Sequence, residues 1–447
     1  MEDTIAAISS ALGVGAISII RISGEKSIEI INKIFNKDLT YAASHTIHYG
    51  HIIENGEIID EVLVSLMKAP KTFTKEDIIE INCHGGINTT NKVLELVLSR
   101  GARLAEPGEF TKRAFLNGRI DLTQADGIMN LIEAKTDISR KMSINQLNGQ
   151  VSNIIKELRT NLVNIISNIE VNIDYPEYED IEVVTSDSIY PQVLKMHEKL
   201  ENIIKKSEDG KIINEGIKIG IIGRPNVGKS SLLNTLLEEE KAIVTDIEGT
   251  TRDIVEGKII INGIVCNIID TAGIRETDNV VEKLGVNKSY DIINSADLII
   301  MILNNNEKIT EEELELLSKI KNKNHIIVIN KTDLENKLNL YVKDAIKISI
   351  KDNTGIEDIK NRITEIFNLD KIDTFDMSYL SNARSISLLK KSLNKINECL
   401  SNIKDDSPID IIELDLKECW NLLGEIIGET YTDELIDEIF SRFCLGK

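Results

Sequence analysis

The sequence predicts a protein of several domains that combines α/β domains with a helical domain, and three observations support this. At 447 residues the chain is too long for one ordinary core, so about three domains are expected. Residues 217–370 alternate apolar strands with helical stretches, which predicts a doubly wound parallel sheet with crossover helices. Before and after this segment, apolar residues recur at three- and four-residue steps, which predicts amphipathic helices.

The segments that flank the predicted sheet divide further. Residues 16–22 and 78–83 have the composition of strands and residues 88–98 the spacing of a helix, so the N-terminal part is predicted to be mixed α/β. A helical bundle is predicted from residue 122 to about residue 169. The predicted domains are a mixed α/β domain at 1–118, the first part of a helical domain at 119–213, an inserted α/β domain at 214–371 and the second helical part at 372–447, with 210–216 as a linker.

Composition and charge narrow the class of protein. No apolar stretch approaches the roughly 18 residues of a membrane span, and the N-terminus lacks the basic segment of a secretory signal. The five cysteines are scattered without metal-ligand spacing, which favours thiols in a reducing compartment. We therefore expect a cytoplasmic protein that binds no membrane. The net charge of −21 argues against a broad nucleic-acid footprint, so RNA should bind weakly or with help.

A phosphate-binding loop lies in the middle of the chain, at residues 223–230 (Gly-Arg-Pro-Asn-Val-Gly-Lys-Ser). It follows an apolar strand and precedes leucines at helical spacing, which is the order that a phosphate cradle requires. Backbone N–H groups would surround the phosphates, and Lys229 would reach the β and γ oxygens. The Ser230 hydroxyl is expected to bind Mg²⁺.

Two further segments are predicted to respond to the γ-phosphate. Residues 249–253 (Gly-Thr-Thr-Arg-Asp) lie in a predicted loop, where Thr251 can bind Mg²⁺ and sense the γ-phosphate. Arg252 and Asp253 of the same loop are candidate catalytic residues. Asp270 ends an apolar strand and begins the segment Asp-Thr-Ala-Gly, which would lie near the metal and the γ-phosphate.

Two segments near residue 340 predict which base is bound. Residues 330–333 (Asn-Lys-Thr-Asp) follow an apolar strand, and the Asp333 carboxylate can accept hydrogen bonds from guanine N1 and N2, which adenine cannot supply. Residues 349–351 suit a second loop at the base edge, with Ile350 where a small alanine is usual. Five segments in the expected order on the expected elements predict a guanine-nucleotide-binding domain.

Water activation needs another group, because Ile274 follows Asp-Thr-Ala-Gly where small signalling GTPases have a glutamine. Asn226 could present its carboxamide oxygen to a monovalent cation beside the phosphates. Residues 241–248 could surround that cation with backbone carbonyls. In the alternative interpretation, Asn226 is a tolerated variable position of the loop.

Together with its flanks, the chain resembles the bacterial family of tRNA modification GTPases MnmE (TrmE) over essentially its whole length. The matching stretches are residues 3–8, 20–24, 84–86, 107–118 and 443–447. The resemblance implies a tetrahydrofolate-binding N-terminal domain that forms a homodimer, a helical domain and an inserted Ras-like G domain. It also implies that the G domains pair across the dimer.

The resemblance further implies GTP hydrolysis that K⁺ activates. The K⁺ ligands would be Asn226 and groups of Thr245, Ile247 and Thr250, and Glu282 would orient the bridging water. A fixed cation would then stabilise the developing phosphate charge in place of an arginine finger. The predicted GTP site comprises Asn226, Val227, Gly228, Lys229, Ser230, Ser231, Thr245, Asp246, Ile247, Glu248, Gly249, Thr250, Thr251, Asp270, Thr271, Ala272, Gly273, Asn330, Lys331, Asp333, Ser349, Ile350 and Lys351.

The resemblance places the folate site at Arg21, Glu80, Arg119 and Lys447. The ligand would be 5-formyl- or 5,10-methylene-tetrahydrofolate, with Glu80 accepting from the pterin amino edge and cations facing the glutamate tail. Arg119 stands where the family often has lysine, which keeps the charge and changes the donor geometry. Alternatively, Arg21 and Glu80 are merely exposed strand residues. Ser385 stands where the family commonly has a histidine, and the sequence does not show what this difference alters.

Cys444 allows several interpretations. It lies four residues from the end, as in a prenylation box, but Gly446 and Lys447 fit that pattern poorly. The resemblance implies a functional thiol near the modification site. A buried structural thiol is the other alternative.

Two functions from different classes follow. In the first, the chain is the GTPase of an enzyme that modifies carbon 5 of the wobble uridine of certain tRNAs, giving aminomethyl or carboxymethylaminomethyl groups from a folate one-carbon donor. By resemblance its partner is the FAD-dependent protein MnmG, in a heterotetramer that would help to hold the tRNA. In the second, the chain is a regulatory switch that binds a protein or ribosomal RNA. The folate-type N-terminal domain favours the first.

Overall fold

The structure, a computed structural model, describes residues 3–174, 186–239, 257–270, 291–369 and 380–446. The chain forms two compact units, here called the first unit and the second unit. The first unit comprises Met1–Met129, Gln146–His197 and Leu388–Lys447, and the second unit comprises Asn130–Asn145 and Glu198–Ser387.

A six-stranded sheet forms the N-terminal part of the first unit. Its strands are β1 (Ile5–Ile8), β2 (Ile17–Ser23), β3 (Thr46–Glu54), β4 (Glu57–Met67), β5 (Ile78–His84) and β6 (Arg103–Leu104). They lie in the order β3-β4-β5-β2-β1-β6. β6 pairs with β1 in parallel, whereas the other neighbours pair antiparallel. Helices α1 (Ser27–Asn32) and α2 (Ile87–Ser99) share a buried apolar core with the strands.

The hairpin of β3 and β4 was not predicted from the sequence. Its two-residue turn consists of Asn55 and Gly56, with φ angles of 50° and 89°. Both residues are therefore left-handed, as in the turn whose twist matches that of paired strands. An Asn-Gly pair between apolar stretches is a recognised hairpin signal, so this element was open to prediction.

Helices account for most of the remaining chain. They are α3 (Glu109–Leu116), α4 (Leu122–Glu133), α5 (Asp137–Leu147), α6 (Gln150–Asp174), α7 (Ser186–Glu215), α8 (Lys229–Glu239), α9 (Glu311–Ile320), α10 (Ile356–Ile366), α11 (Ala383–Lys404), α12 (Ile409–Ile427) and α13 (Asp433–Ser441). In the first unit α6 packs against α12. None of the helices that the structure describes is both long enough and apolar enough to cross a bilayer.

A second six-stranded sheet forms the centre of the second unit. Its strands are β7 (Ile217–Ile222), β8 (Gly257–Ile261), β9 (Ile264–Asp270), β10 (Leu298–Asn304), β11 (His325–Asn330) and β12 (Ile346–Lys347). They lie in the order β12-β11-β10-β7-β9-β8. β8 is antiparallel to β9, and the other neighbours are parallel.

Strand β10 shows that this sheet is covered on both faces. All of its residues are buried. Ile300 and Ile302 belong to one apolar core, whereas Ile299, Met301 and Leu303 belong to another. Because successive side chains of a strand point to opposite faces, the two cores lie on opposite faces of the sheet. The predicted doubly wound sheet, combined with a mixed α/β region and a helical region, is confirmed.

The predicted linker at residues 210–216 is wrong. Helix α7 continues to Glu215, because Ile212 and Ile213 pack with the core of the second unit and favour the helical conformation there. Gly216, with a φ of 79°, follows the last turn. A Cβ at Gly216 would lie 2.4 Å from the Val265 carbonyl oxygen, so both the backbone conformation and the space require glycine.

Candidate functional site

The predicted nucleotide segments meet at one edge of the sheet in the second unit. Gly223 follows β7, and Asp270 and Asn330 end β9 and β11. These three strands run parallel in the same sheet, so their carboxyl ends share an edge. Ligands of open α/β sheets bind at this edge. The structure thus brings together segments that are about a hundred residues apart in the sequence.

The loop between β7 and α8 has the backbone of a phosphate cradle. Gly223, Asn226 and Gly228 have φ angles of 151°, 62° and 107°. A Cβ at Gly223 would lie 2.6 Å from the Ile302 carbonyl oxygen, and one at Gly228 would lie 2.3 Å from Asn330 Nδ2. Glycine is therefore required at both positions. The loop leads directly into the N-terminus of α8, where free N–H groups and the helix dipole favour an anion.

Lys229 lies over this loop. Its Nζ donates hydrogen bonds to the carbonyl oxygens of Gly223, at 2.8 Å, and Arg224, at 2.9 Å. Ser230 and Ser231 follow in the first turn of α8 and are exposed. An ammonium beside a helix N-terminus and a free serine hydroxyl in its first turn suit a nucleotide phosphate with Mg²⁺.

The base-recognition segment is bonded to the phosphate loop. Asn330 Nδ2 donates to the Val227 carbonyl oxygen at 2.8 Å, and Lys331 Nζ donates to the Asn226 carbonyl oxygen at 3.0 Å. Asn330 is buried. These two bonds hold the segment that would bind the base at a fixed distance from the loop that would bind the phosphates.

The second base-edge segment contacts the first. Ser349 is buried, and its hydroxyl lies 3.1 Å from a carboxylate oxygen of Asp333 and 3.1 Å from one of Asp352, so it can donate to one of them at a time. Ile350 packs beside the phosphate loop, with its Cδ1 3.4 Å from the position of a Cβ on Gly228. The unusual isoleucine therefore supports the loop. Lys351 is exposed beside it.

Several predicted site residues lie outside the described residues. They are Thr245, Asp246, Ile247, Glu248, Gly249, Thr250, Thr251, Arg252, Asp253, Thr271, Ala272, Gly273, Ile274, Glu282 and Lys447. Within the part of the chain that the structure describes, no group of three or more His, Cys, Asp and Glu side chains is arranged to hold a metal ion.

Three of the four predicted folate residues, Arg21, Glu80 and Arg119, lie close together in the first unit. Arg21 on β2 is directly opposite Glu80 on β5. Its Nε lies 2.9 Å and its Nη2 2.8 Å from the same carboxylate oxygen of Glu80. Both side chains are about one-fifth exposed, at 22% and 23%, so a ligand can reach them.

Phe73 joins Arg21 to Arg119. The ring centre lies 6.0 Å from the Arg21 guanidinium carbon and 4.8 Å from that of Arg119. The C-terminal segment reaches the same place, since Arg21 Nη1 lies 3.5 Å and Ser9 Oγ 3.0 Å from the Gly446 carbonyl oxygen. Phe73 and Ser9 were not predicted from the sequence, because an isolated aromatic or serine in a loop belongs to no motif.

A buried charge cluster supports the loop that carries Phe73. The Arg113 side chain is fully buried and contacts Asp3 at 2.8 Å, Glu109 at 3.0 Å and Glu76 at 3.2 Å. Burial alone would raise the pKa of Glu109, but hydrogen bonds from Arg103 and Arg113 hold that pKa below its usual value. Glu109 is therefore charged at neutral pH, and Arg113 holds Glu76 in the loop that also carries Phe73.

The cysteines differ in exposure. All five are free thiols, and Cys444 is exposed whereas the others are buried. Burial raises the pKa of Cys266, Cys399 and Cys419 to about 12, so these thiols stay protonated at neutral pH. The Cys444 carbonyl oxygen accepts from the Gly108 N–H at 3.3 Å. The alternative of a buried structural thiol at Cys444 is wrong.

Known proteins resemble both units. A family described as "GTP-binding protein TrmE N-terminus" matches residues 4–119, and one described as "MnmE helical domain" matches residues 122–444. The tRNA modification GTPase MnmE of Streptococcus thermophilus is 51% identical over 100% of this chain and 98% of that protein. This chain belongs to the MnmE family. The resemblance inferred from the sequence is confirmed.

Further relatives have the same name. The MnmE protein of Bacillus cytotoxicus is 49% identical over 100% of this chain and 99% of that protein, and that of Bacillus subtilis is 48% identical over 100% of both. Among solved structures, the FeoB G-domain of Methanococcus jannaschii is 24% identical over 34% of this chain and 97% of that chain, with a TM-score of 0.25. As a member of the MnmE family the chain is a GTPase, which uses GTP with Mg²⁺.

Proposed function

We propose that this GTPase works in the modification of carbon 5 of the wobble uridine in certain tRNAs, with a tetrahydrofolate derivative as one-carbon donor. The observation that carries the proposal is 48–51% identity, over the whole chain, to proteins named for tRNA modification. The same chain has a sheet edge that suits a guanine nucleotide and a pair of cations, Arg21 and Arg119, that suits a folate. A simple nucleotide switch would need only the first of them.

The division of the work follows the proposed domains. Residues 1–118 would bind folate and form the homodimer, residues 119–213 and 372–447 would form the helical domain, and residues 214–371 would form the inserted G domain. The net charge of −21 favours a partner that helps to hold the tRNA, for which we propose the FAD-dependent protein MnmG, in the cytoplasm. The exposed thiol of Cys444 would lie near the modification site.

The tRNA role is tested in cells. We expect that deletion of the gene removes the C5 modification from wobble uridines, as measured by mass spectrometry of tRNA nucleosides, and that plasmid-borne wild-type protein restores it. Unchanged wobble uridines would contradict the proposal. Defects in ribosomal RNA processing with intact tRNA modification would favour the regulatory switch instead.

In the proposed hydrolysis, Lys229 binds the phosphates, Ser230 and Thr251 hold Mg²⁺, and Glu282 orients water. The conformation of Asn226 supports its role as a cation ligand. Its backbone is left-handed, and the hydrogen bond from Lys331 to its carbonyl oxygen holds that backbone in place. The Asn226 carboxamide is exposed and forms no hydrogen bond with the described residues, so it is available to a ligand. A bound K⁺ would supply positive charge beside the phosphates, held by Asn226 and groups of residues 245–250.

The cation role is tested by the rate of GTP hydrolysis in KCl and in NaCl at equal ionic strength. We expect K⁺ to activate the wild-type protein and Asn226→Ala to lose that activation. Asn234→Ala is a suitable control, because it removes an exposed carboxamide from α8 that is not a proposed ligand. Equal rates in the two salts would exclude the mechanism.

The folate role is tested by calorimetry with 5-formyltetrahydrofolate. Arg21→Ala should weaken binding strongly, since it removes the fixed guanidinium between Glu80 and Phe73. Lys33→Ala, which removes a cation from an exposed ion pair on α1, is the matched control. Normal affinity after Arg21→Ala would reject the assignment.

A further inference from the structure

Three exposed cations lie on two neighbouring loops of the first unit, one of which also carries Phe73. Lys71 and Lys75 belong to the loop between β4 and β5, and Arg119 follows α3. In the part of the chain that the structure describes, none of the three forms an ion pair, although the chain as a whole carries a net charge of −21. A cluster of unpaired positive charge in an acidic protein favours an anionic ligand.

Hydrogen bonds hold the two loops together. Lys75 Nζ donates to the carbonyl oxygens of Asn117, at 2.9 Å, and Gly118, at 3.0 Å. Asn117 Nδ2 donates in turn to the Thr74 carbonyl oxygen at 2.6 Å. The Lys75 ammonium is thereby fixed beside the residue that precedes Arg119.

The backbone at Lys75 is also unusual. Its φ of 60° is left-handed, a conformation that is unfavourable for a lysine and persists only where the surroundings impose it. The loop is closed on its other side by Thr72 Oγ1, which donates to the Glu76 carbonyl oxygen at 2.6 Å. This bond brings together the neighbours of Lys71 and Lys75, so the two lysines belong to one compact loop.

The nearby acidic groups are already engaged. Glu80 pairs with Arg21, and Glu76 pairs with the buried Arg113. Asp77 accepts from the Ala69 N–H at 2.8 Å. The charge of Arg21 is therefore balanced within the protein, whereas the charges of Lys71, Lys75 and Arg119 are left for a ligand.

We propose that Lys71 and Lys75 bind the γ-linked glutamate tail of a folate, and that the folate substrate is the polyglutamylated form. The inference rests on the proposed folate function. Each added glutamate brings one more carboxylate, so a longer tail presents a row of negative charges. Arg119, stacked on Phe73, would bind the first glutamate, and the two lysines would bind the second and later ones.

The test compares two probes on the full-length protein, 5-formyltetrahydrofolate with one glutamate and with three, by calorimetry. Wild-type protein should bind the triglutamate about five- to tenfold more tightly, as two further exposed charge pairs would give. The gain should shrink when the ionic strength rises from about 0.05 M to about 0.5 M, because exposed charges are screened. In Lys71→Gln/Lys75→Gln the gain should vanish while affinity for the monoglutamate remains.

Two variants control for structural effects. Lys75→Arg keeps the charge and should retain most of the gain. Lys68→Gln lies on the same loop, but the Lys68 ammonium contacts the Thr40 carbonyl, so its loss should leave the gain unchanged.

The outcomes separate this inference from the folate proposal. Equal affinity for the two probes, or a gain that persists in Lys71→Gln/Lys75→Gln, would overturn the inference while leaving monoglutamate binding intact. Failure of both probes to bind would overturn the folate proposal, and the inference with it. If the double variant weakens tRNA binding and leaves the triglutamate gain unchanged, the lysines serve RNA and the inference is wrong.

Discussion

The two candidate sites of this chain are built in different ways. The nucleotide edge of the second unit consists mainly of backbone, in which glycine conformations and carbonyl oxygens define the loop. The folate cluster of the first unit consists of side chains, with Arg21 and Glu80 fifty-nine residues apart in the sequence and opposite each other on antiparallel strands. A site made of backbone cannot be changed without changing the fold, whereas side chains on a finished sheet can be exchanged.

We expect the largest effect from Gly228→Ala. The new Cβ would lie 2.3 Å from Asn330 Nδ2, and the φ of 107° would be strained for alanine. A penalty of about 3 kcal/mol corresponds to at least about a 100-fold loss of GTP affinity. Titration with a fluorescent GTP analogue measures the loss, and circular dichroism measures the accompanying decrease in stability.

Gly13→Ala is the matched control, because a Cβ at Gly13 would meet nothing within 4 Å. It should leave both GTP affinity and stability unchanged. If Gly228→Ala bound GTP normally, the backbone description of the nucleotide edge would be wrong.

The second effect concerns the bond between the base segment and the phosphate loop. Asn330→Ala leaves the Val227 carbonyl without the donor that now lies 2.8 Å away. A buried group that loses its partner costs about 1–3 kcal/mol, so both the free energy of unfolding and GTP affinity should fall together. Urea unfolding and nucleotide titration measure the two quantities.

The control for Asn330 is Asn336→Ala. Asn336 is exposed, and its carboxamide oxygen accepts from the Leu338 N–H at 3.1 Å. Its loss should change stability by less than about 0.5 kcal/mol. A loss of GTP affinity in Asn330→Ala without any loss of stability would show that the residue acts on the nucleotide alone.

The difference between a site made of backbone and one made of side chains also explains which residues could be predicted from the sequence. The phosphate loop and the Asn-Lys-Thr-Asp segment are contiguous, and each requires particular residue types, so their positions on strand ends follow from local pattern. Ile350 looked like a departure, and only the structure shows it packed beside Gly228. The linker prediction failed because residues distant in the sequence bury Ile213 and partly bury Ile212.

For the folate cluster, residue pattern alone predicted little, and the family resemblance supplied the residues. The pairing of Arg21 with Glu80 depends on the register of β2 and β5, which no local pattern specifies. Phe73 lies between two guanidinium groups because separate loops meet there. Sites of this kind depend on tertiary contacts, so they become visible only in the folded chain.

Glu80→Gln should separate binding from stability. The Arg21–Glu80 pair is partly exposed, and such pairs contribute about 0–1 kcal/mol, so the melting temperature should change by less than about 3 °C. Affinity for 5-formyltetrahydrofolate should fall about tenfold, because a charged acceptor is lost. Calorimetry and thermal unfolding measure the two effects. Lower stability with unchanged affinity would make the pair a structural element.

The smallest effect is a shift in pKa at the end of the same strand, β5. The Asp60 carboxylate accepts a hydrogen bond from His84 Nδ1 at 2.7 Å, which raises the pKa of His84. The protonated form is thus favoured by folding, so its stabilising effect is complete below about pH 6.5, the value for an unfolded histidine, and is lost as the pH rises through the higher folded pKa. In Asp60→Asn the pKa of His84 should fall, as an NMR titration of the imidazole would show. Folate affinity should not change, because His84 lies four residues from Glu80 on β5 and pairs with Asp60 of β4, not with Glu80. A weaker folate complex in Asp60→Asn would mean that charges elsewhere on β5 also affect folate binding. Side chains of the first unit could then not be exchanged independently of one another.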